Sequence, residues 1–379
     1  MKRGLWLLIG VLLIASLVVA ACAPAAPATP TATKAAESKP AAAQPAESKP
    51  AATQPAEAKP AEKPAEKAAE KPAAAAPVVL KAVCFLAKNH PVAYMVNEYV
   101  KRVNEQGQGK VRIDYLGGPE VIPPLEQADA VIKGAAVQMG FNVTAYYAPL
   151  GPELDVLHMT EVTPMDERKP GGMYDFMVER HKKIGLYYLG RWSFNQPFYL
   201  YTNKKVDTPK QLAGQKMRTT ALYDPFMKAL GIVPITMPFG DIYTSIERGV
   251  IDGYGWPALG IMDAGLNKVT KYRIEPSFYE QNNTILVNLK TWESLPKDVQ
   301  DLLKDVAVKL EPDTVAHFAE ATKKELEAQE KGGVQVIKFS PEDAKWYRDL
   351  AYKSQWDEIE AKVKDPALVA QLKELVKKK

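Results

Sequence analysis

The order of apolar runs between residues 80 and 254 constrains this chain more than any single residue does. "LKAVCFLA" (80–87) is apolar and short enough for a buried strand. "NHP" (89–91) then opens a helix, with Pro91 suited to its first position, and Val92, Met95, Val96, Tyr99, Val100 and Val103 keep helical spacing. "KVRIDYL" alternates Val111, Ile113 and Tyr115 as a second strand, "PLEQADAVIKG" is a helix closed by Gly134, and "AVQMGFNV" is a third strand. Strand and helix taken in turn predict a mainly parallel α/β sheet. The rhythm then returns. "IGLYYLG" (184–190), "QKMRTT" (215–220), "IVPITM" and "VIDGY" read as strands. Between them lie two short helices, "YDPFMKALG" (223–231), capped by Asp224 and closed by Gly231, and "DIYTSIERG", capped by Asp241 and stopped by Gly249. From Trp292 onward the chain reads as helix, with charged faces and an apolar stripe. Ligands in open α/β sheets bind beyond the carboxyl ends of the strands, so two such units face to face predict a cleft.

The front of the chain belongs to no fold. Lys2 and Arg3 precede an apolar run from Leu5 to Ala21, which is the pattern of a secretory signal and too short for a comfortable permanent span. Val19-Ala20-Ala21-Cys22 resembles a bacterial lipobox. It implies cleavage before Cys22 and acylation of that residue; the alternative is an ordinary signal whose cysteine is incidental. Residues 23–77 are Ala, Pro, Lys, Glu, Gln, Ser and Thr, in which "AESKPAAAQP" recurs as "AESKPAATQP". Such a composition cannot offset the entropy of ordering, and its prolines stiffen it, so we read an extended disordered tether. The expected organisation is a signal over 1–21 and lipidated Cys22 with its tether over 22–77. One lobe then takes 78–195 with roughly 284–325, and the other takes 196–283 with roughly 326–379.

The formal charge of +4 falls to +2 once Lys2 and Arg3 leave, and Lys and Glu are interleaved rather than segregated. No basic stripe points to nucleic acid. Cys84, in an apolar run without a partner, reads as a buried strand residue. The four histidines, at 90, 158, 181 and 317, share no metal-ligand spacing. No HExxH, CxxC, GxSxG, Walker loop or GxGxxG is present, so an enzyme is not the expectation, and no cofactor or metal is implied. What stands out is a set of aromatic and polar residues near strand ends. These are Arg218 inside "QKMRTT", Phe194 and Asn195 within "WSFNQPFYLY", Tyr146 after the third strand, and Trp256 in "ERGVIDGYGWP". Apolar walls with a few placed polar groups are the usual small-molecule site.

The stretch 208–257, "TPKQLAGQKMRTTALYDPFMKALGIVPITMPFGDIYTSIERGVIDGYGWP", resembles the extracytoplasmic solute-binding proteins of TRAP transporters, the DctP-like family. "GKVRIDYLGGPEVIPPLEQADAVIKGAAVQMGF" and "LVNLKTWESLPKDVQDLL" resemble its earlier and later segments, so the likeness spans essentially 80–350. The resemblance implies a periplasmic-binding-protein-like α/β fold, two lobes joined by a hinge with a long helix spanning both. It implies capture of a small organic acid by lobe closure and delivery to a TRAP-type membrane permease. The family's signature arginine falls on Arg218, whose forked guanidinium matches a carboxylate; a structural Arg218 paired to an acid is the alternative. Trp256 occupies a ligand-contacting position, with Gly253 and Gly255 allowing a close turn; a buried corner tryptophan is the other reading. Asn89, His90 and Tyr146 would contribute from the first lobe, although a histidine at a helix start is often only a cap. Some relatives place a metal-holding Glu just before this Trp; here Gly255 stands there. Arg191 reads as structural, and Asn195 and Gln196 as neutral donors, which favours a small, partly apolar carboxylate over a sugar acid. The location expected is extracytoplasmic, at the cell surface or in the periplasm, held to the membrane by Cys22. A sensor subunit on the same fold is the alternative, and an extracellular enzyme a more distant one. Residues 78–379, stripped of ligand by unfolding and refolding, are expected to gain thermal stability with one class of C3–C6 acid and to lose that gain in Arg218→Ala. A well-folded sample that no acid stabilises would overturn the ligand class.

Overall fold

The computed structural model describes residues 76–377; the signal, Cys22 and all of the tether but its last two residues lie outside the described residues. Strand β1 (Val78–Cys84) leads through a 3-10 turn, Pro91–Ala93, into α1 (Tyr94–Gln106), with His90 as the cap residue. Next come β2 (Val111–Gly117), α2 (Gln127–Lys133) and β3 (Met139–Val143), and α2 ends at Gly134, whose φ of 70° suits glycine. After 3-10 turns come α3 (Met173–Lys183) and β4 (Leu186–Arg191). The second half runs β5 (Phe198–Thr202), β6 (Lys216–Thr219), α4 (Asp224–Ala229), β7 (Val233–Thr236), α5 (Ile242–Glu247), β8 (Gly253–Pro257) and β9 (Tyr272–Glu275). It closes with β10 (Asn283–Asn288), α6 (Leu289–Ser294), α7 (Lys297–Lys331), β11 (Gln335–Lys338), α8 (Pro341–Val363) and α9 (Pro366–Leu375).

Two sheets result, ordered β2-β1-β3-β10-β4 and β11-β9-β5-β8-β6-β7. Both are mixed rather than mainly parallel. In the first, β1 pairs parallel with β2 and β3, whereas β10 is antiparallel to β3 and β4. In the second, β6 is parallel to β7 and β8, whereas β5 is antiparallel to β8 and β9. The antiparallel members are the strands that arrive from the other half of the chain: β5 follows β4, and β10 follows β9. Where the chain crosses, segments 192–198 and 279–283 are hydrogen-bonded to each other. Trp192 donates its N–H to Asn283 at 3.0 Å, Gln281 to Gln196 at 2.9 Å, and Phe198 to Tyr279 at 2.8 Å.

The apolar face read for α1 is buried: Val92, Met95, Val96, Tyr99 and Val103 are all inside. Helix α7 touches both sheet layers. Its first half packs Leu303, Val306 and Leu310 into the larger core, and Tyr99 donates to the Leu303 carbonyl at 3.1 Å. Its second half is held by polar contacts, Gln329 donating to the Ala258 carbonyl at 2.8 Å and Glu325 accepting from the Met262 N–H at 2.9 Å. Pro312 sits inside α7 without ending it. The missing N–H removes a bond to the carbonyl of Val308, a residue that lies on the exposed side of the helix.

Several expectations need correction. Asp224 is not a cap: Tyr223 holds that place, and Asp224 pairs with Lys228 in the first turn. Asp241 occupies the cap position of α5 but its side chain bonds no backbone N–H. The strand read at 250–254 lies at Gly253–Pro257, so Trp256 is within β8 rather than in a turn after it. The helical tail is interrupted by β11, because Gly332 and Gly333 end α7 and the alternating "QVIK" adds an edge parallel to β9. Cys84 is buried and free as expected, its thiol pushed up to about 12 by burial.

Buried charge fixes the turn before α3. Arg191 pairs with Glu167 at 2.9 Å with both side chains sealed, and also donates to Asn282 Oδ1 and the Val162 carbonyl, each at 2.7 Å. Glu167→Leu would leave that guanidinium buried without its charge partner, at an expected cost of about 3–5 kcal/mol. Urea unfolding should show that loss, whereas Lys345→Ala at an exposed helix pair should leave the midpoint unchanged.

Candidate functional site

Arg218 lies on β6, one strand in from the β7 edge of the second sheet, opposite Ile235 of β7 and Tyr254 of β8. Its side chain is 1% exposed. Nε donates to the Met237 carbonyl at 3.0 Å, and Nη1 donates to the Gly255 carbonyl at 3.1 Å and to the Tyr223 hydroxyl. That hydroxyl in turn donates to the Gly255 carbonyl at 2.7 Å. These are neutral partners. The other deeply buried arginines are matched by carboxylates, Arg191 by Glu167 and Arg273 by Glu275 and Glu330. Among the described residues no carboxylate forms an ion pair with Arg218. A buried cation without a counter-charge is costly, and it is held here by dipoles aimed at it from three sides.

The phenols around it stay neutral. Burial raises the Tyr223 and Tyr146 hydroxyls above their ordinary value, and in each case Arg218 pulls back. Trp256 completes the wall: its ring centre lies 5.3 Å from the guanidinium carbon, and its N–H donates to the Leu259 carbonyl at 2.9 Å. Phe239 stacks on the indole at 3.9 Å and 22°. Gly255 is required for a reason other than a turn. A Cβ there would lie 2.7 Å from the Tyr223 ring, so the strand backbone can meet the phenol only as glycine.

These residues line a cavity of about 20 Å³. Phe85, Val143, Ala145 and Tyr146 face it from the first sheet's side, Arg218, Thr220, Leu222, Tyr223, Trp256 and Pro257 from the second's, and Phe198 and Gln281 from the crossing. The room is that of a single water, so any larger ligand must enter with the sides parted. Gln281 is 4% exposed, and its Oε1 has no hydrogen-bond partner. A larger groove, about 670 Å³, opens elsewhere and includes Arg168 and Arg180. Both are committed, to Glu311 and Glu153 at 2.5 Å. Among the described residues no group of three His, Cys, Asp or Glu side chains stands ready for a metal ion. The site's cation is Arg218 itself.

Of the residues singled out in the sequence, Arg218, Trp256 and Tyr146 come together at this cavity. The others do not line it. Asn195, at φ 59°, donates to the Val315 carbonyl of α7 at 3.1 Å and accepts from Thr322 at 2.9 Å, which ties the crossing to the long helix. Phe194 packs its ring 5.3 Å from the Arg191 guanidinium. Gln196 is fully buried, with both carboxamide atoms unpartnered. Asn89 is exposed in the loop after β1. His90 is half-buried; its Nδ1 accepts from the Val92 N–H at 3.2 Å, and its ring meets Phe239 edge-on at 5.9 Å. Sequence reasoning missed Phe85, Tyr223, Phe239 and Gln281. Only Gln281 carried a signal, a run of amides ("QNN") between two strands where polar groups need partners.

The chain is 26% identical over 252 residues to the monocarboxylate 2-oxoacid-binding periplasmic protein of Nostoc sp., covering 64% of this chain and 68% of that one. It is 24% identical over 236 residues to the C4-dicarboxylate-binding periplasmic protein DctP of Rhodobacter capsulatus, covering 60% and 70%. Its fold matches a TRAP periplasmic solute-binding protein of Desulfovibrio salexigens, solved with bound orotic acid, at a TM-score of 0.70 and 21% identity, over 79% of this chain and 98% of that one. The model of bacterial extracellular solute-binding proteins, family 7, matches residues 83–362. The chain belongs to that family, the DctP solute-binding proteins.

Proposed function

We propose that this protein is the extracytoplasmic receptor of a TRAP-type secondary transporter, which closes on a small carboxylate and presents it to a membrane permease. The observation that carries the ligand class is Arg218, buried to 1% exposure among neutral donors and acceptors with no acidic partner. A carboxylate supplies the missing charge and accepts charge-assisted N–H bonds from the guanidinium. Trp256 and Phe85 then flank the acid's apolar part, and the Gln281 carboxamide offers a neutral partner to a second polar group. The 2-oxoacid binder of Nostoc sp. and the orotate-bound relative support the same class.

The exchange of β5 and β10 between the sheets supports lobe closure. On this reading residues 78–195 with roughly 284–325 form one lobe, and 196–283 with roughly 326–379 form the other. The paired crossing segments act as the hinge, and α7 is the strut across both. Closure around the acid creates the surface that the permease reads, and opening removes it. Cys22, acylated after signal cleavage, would hold the protein to the membrane surface, and the Ala/Pro-rich tether would give it reach. The groups around Arg218 are neutral phenols, a carboxamide, Thr220 and backbone carbonyls, which suits capture of an anion.

Calorimetric titration with a panel of C3–C6 monocarboxylates and dicarboxylates tests the reading. Arg218→Ala is expected to weaken any acid that binds by about 2–5 kcal/mol. Arg218→Lys, which keeps charge but lacks the planar fork, is expected to fall between the two. Affinity unchanged in Arg218→Ala would reject the carboxylate assignment.

A further inference from the structure

The aromatic stack beside Arg218 continues past Trp256 into the other half of the molecule. Phe239 stacks on the indole, and the edge-on ring beside Phe239 is His90, which belongs to the loop between β1 and α1. His90 Nδ1 accepts the Val92 N–H, which leaves the ring proton on Nε2. That Nε2 is buried and has no hydrogen-bond partner. Opposite it lies Gly260, at φ +95°, where a Cβ would stand 2.9 Å from Nε2 and 3.7 Å from Trp256 Nε1. A glycine in the segment after β8 thus leaves room for an imidazole that comes from the first sheet's side. Packing alone does not ask for a histidine here, because its second nitrogen gains no hydrogen bond.

We propose that His90 is a positioning residue: on lobe closure its imidazole seats between Phe239 and Gly260, and so holds the Phe239–Trp256 stack in place beside the ligand-binding Arg218. This inference rests on the carboxylate-capture reading above. The seat accepts only the neutral ring. A second proton would have to sit on Nδ1, where it displaces the Val92 N–H, at a helix start whose free N–H groups already disfavour positive charge. Burial holds the seated imidazole down to about 4, and the carboxylate of Asp263 pulls the other way. The remaining charges near these elements do not offset burial. Lys88 donates to the Tyr115 carbonyl at 2.6 Å, the first turns of 91–93 and of α1 carry no acid, the turn holding Phe239 brings only Asp241, and on α7 the carboxylate of Glu325 accepts the Met262 N–H at 2.9 Å. Freed from its seat, the ring returns toward its ordinary 6.5. The closed form therefore holds the proton less tightly than the open form. Closure is fully favoured above pH 6.5 and weakens as the pH falls toward 4.

The test is titration of the wild-type protein with pyruvate, lactate, 2-oxobutyrate and pyroglutamate, at steps between pH 7.5 and 5.0, beside His90→Asn and Arg218→Ala. Asn retains an acceptor for the Val92 N–H, so the helix start survives, and far-UV melting checks that it does. The wild-type Kd is expected to rise on the order of 20-fold across this range, with proton uptake on ligand release growing from about none at pH 7.5 to about one at pH 5.0. His90→Asn is expected to bind a few-fold more weakly at pH 7.5 and to lose most of the pH slope, because it has no ring to protonate. A slope as steep in His90→Asn as in wild type overturns the latch while leaving carboxylate capture intact. Equal affinity of Arg218→Ala and wild type at pH 7.5, or no binding of any of these acids to wild type, overturns the capture reading and the latch with it.

Discussion

Each sheet of this protein is completed by a strand delivered from the other half of the chain, and the rest of the architecture follows from that exchange. β5 enters the second sheet straight after β4 leaves the first, and β10 returns to lie between β3 and β4. The two passages meet at one place, where residues 192–198 and 279–283 share backbone hydrogen bonds. Those bonds satisfy peptide groups that would otherwise be stranded between two cores. The halves are joined further by α7 and by α8 and α9, where Gln355 donates to Asp155 at 3.4 Å and Glu161 donates its N–H to the Val376 carbonyl at 3.1 Å. Asn195 fastens the ladder to α7 from a left-handed backbone conformation that asparagine tolerates better than most residues.

The electrostatics divide along the same line. Away from the cleft, buried cations are neutralised: Arg191 by Glu167, Arg168 by Glu311, Arg273 by two glutamates. At the cleft, Arg218 is held by two carbonyls and a phenol. Dipoles fix the guanidinium in position without neutralising it. A counter-ion built into the fold would have lowered the cost of burial and competed with the ligand. The unneutralised cation is the part of the structure that a binding protein needs and a merely stable one does not.

Glycine has a second use in this site. Gly255 lets the Tyr223 ring approach a strand carbonyl, and Gly260 leaves space for an imidazole from across the cleft. Both act through the side chain they lack. Around them the aromatic residues form a continuous path from His90 through Phe239 and Trp256 to Arg218. A charge placed at one end of that path, on His90, is thereby linked to the seat of the ligand at the other.

The alternation of strand and helix, the buried face of α1, the stop at Gly134 and the helices after Trp292, though not their break at β11, were legible in the residues alone, and the family resemblance made Arg218 and Trp256 candidates. These are local or motif-borne: periodicity, cap and breaker residues, and a family pattern concentrated in 208–257. The tertiary structure decided what depends on partners distant in the chain. The mixed pairing was illegible because an antiparallel β5 or β10 has the same apolar composition as a parallel one, and only the crossing sets its direction. Tyr223 and Phe239 were illegible as site residues because nothing local separates a ring that faces a cleft from one that fills a core. Asn195 and Phe194, chosen for their type, sit beside the site but turn to α7 and to Arg191. That Arg218 has no carboxylate partner could not be read from spacing at all, since a counter-charge can arrive from any element that folding brings near.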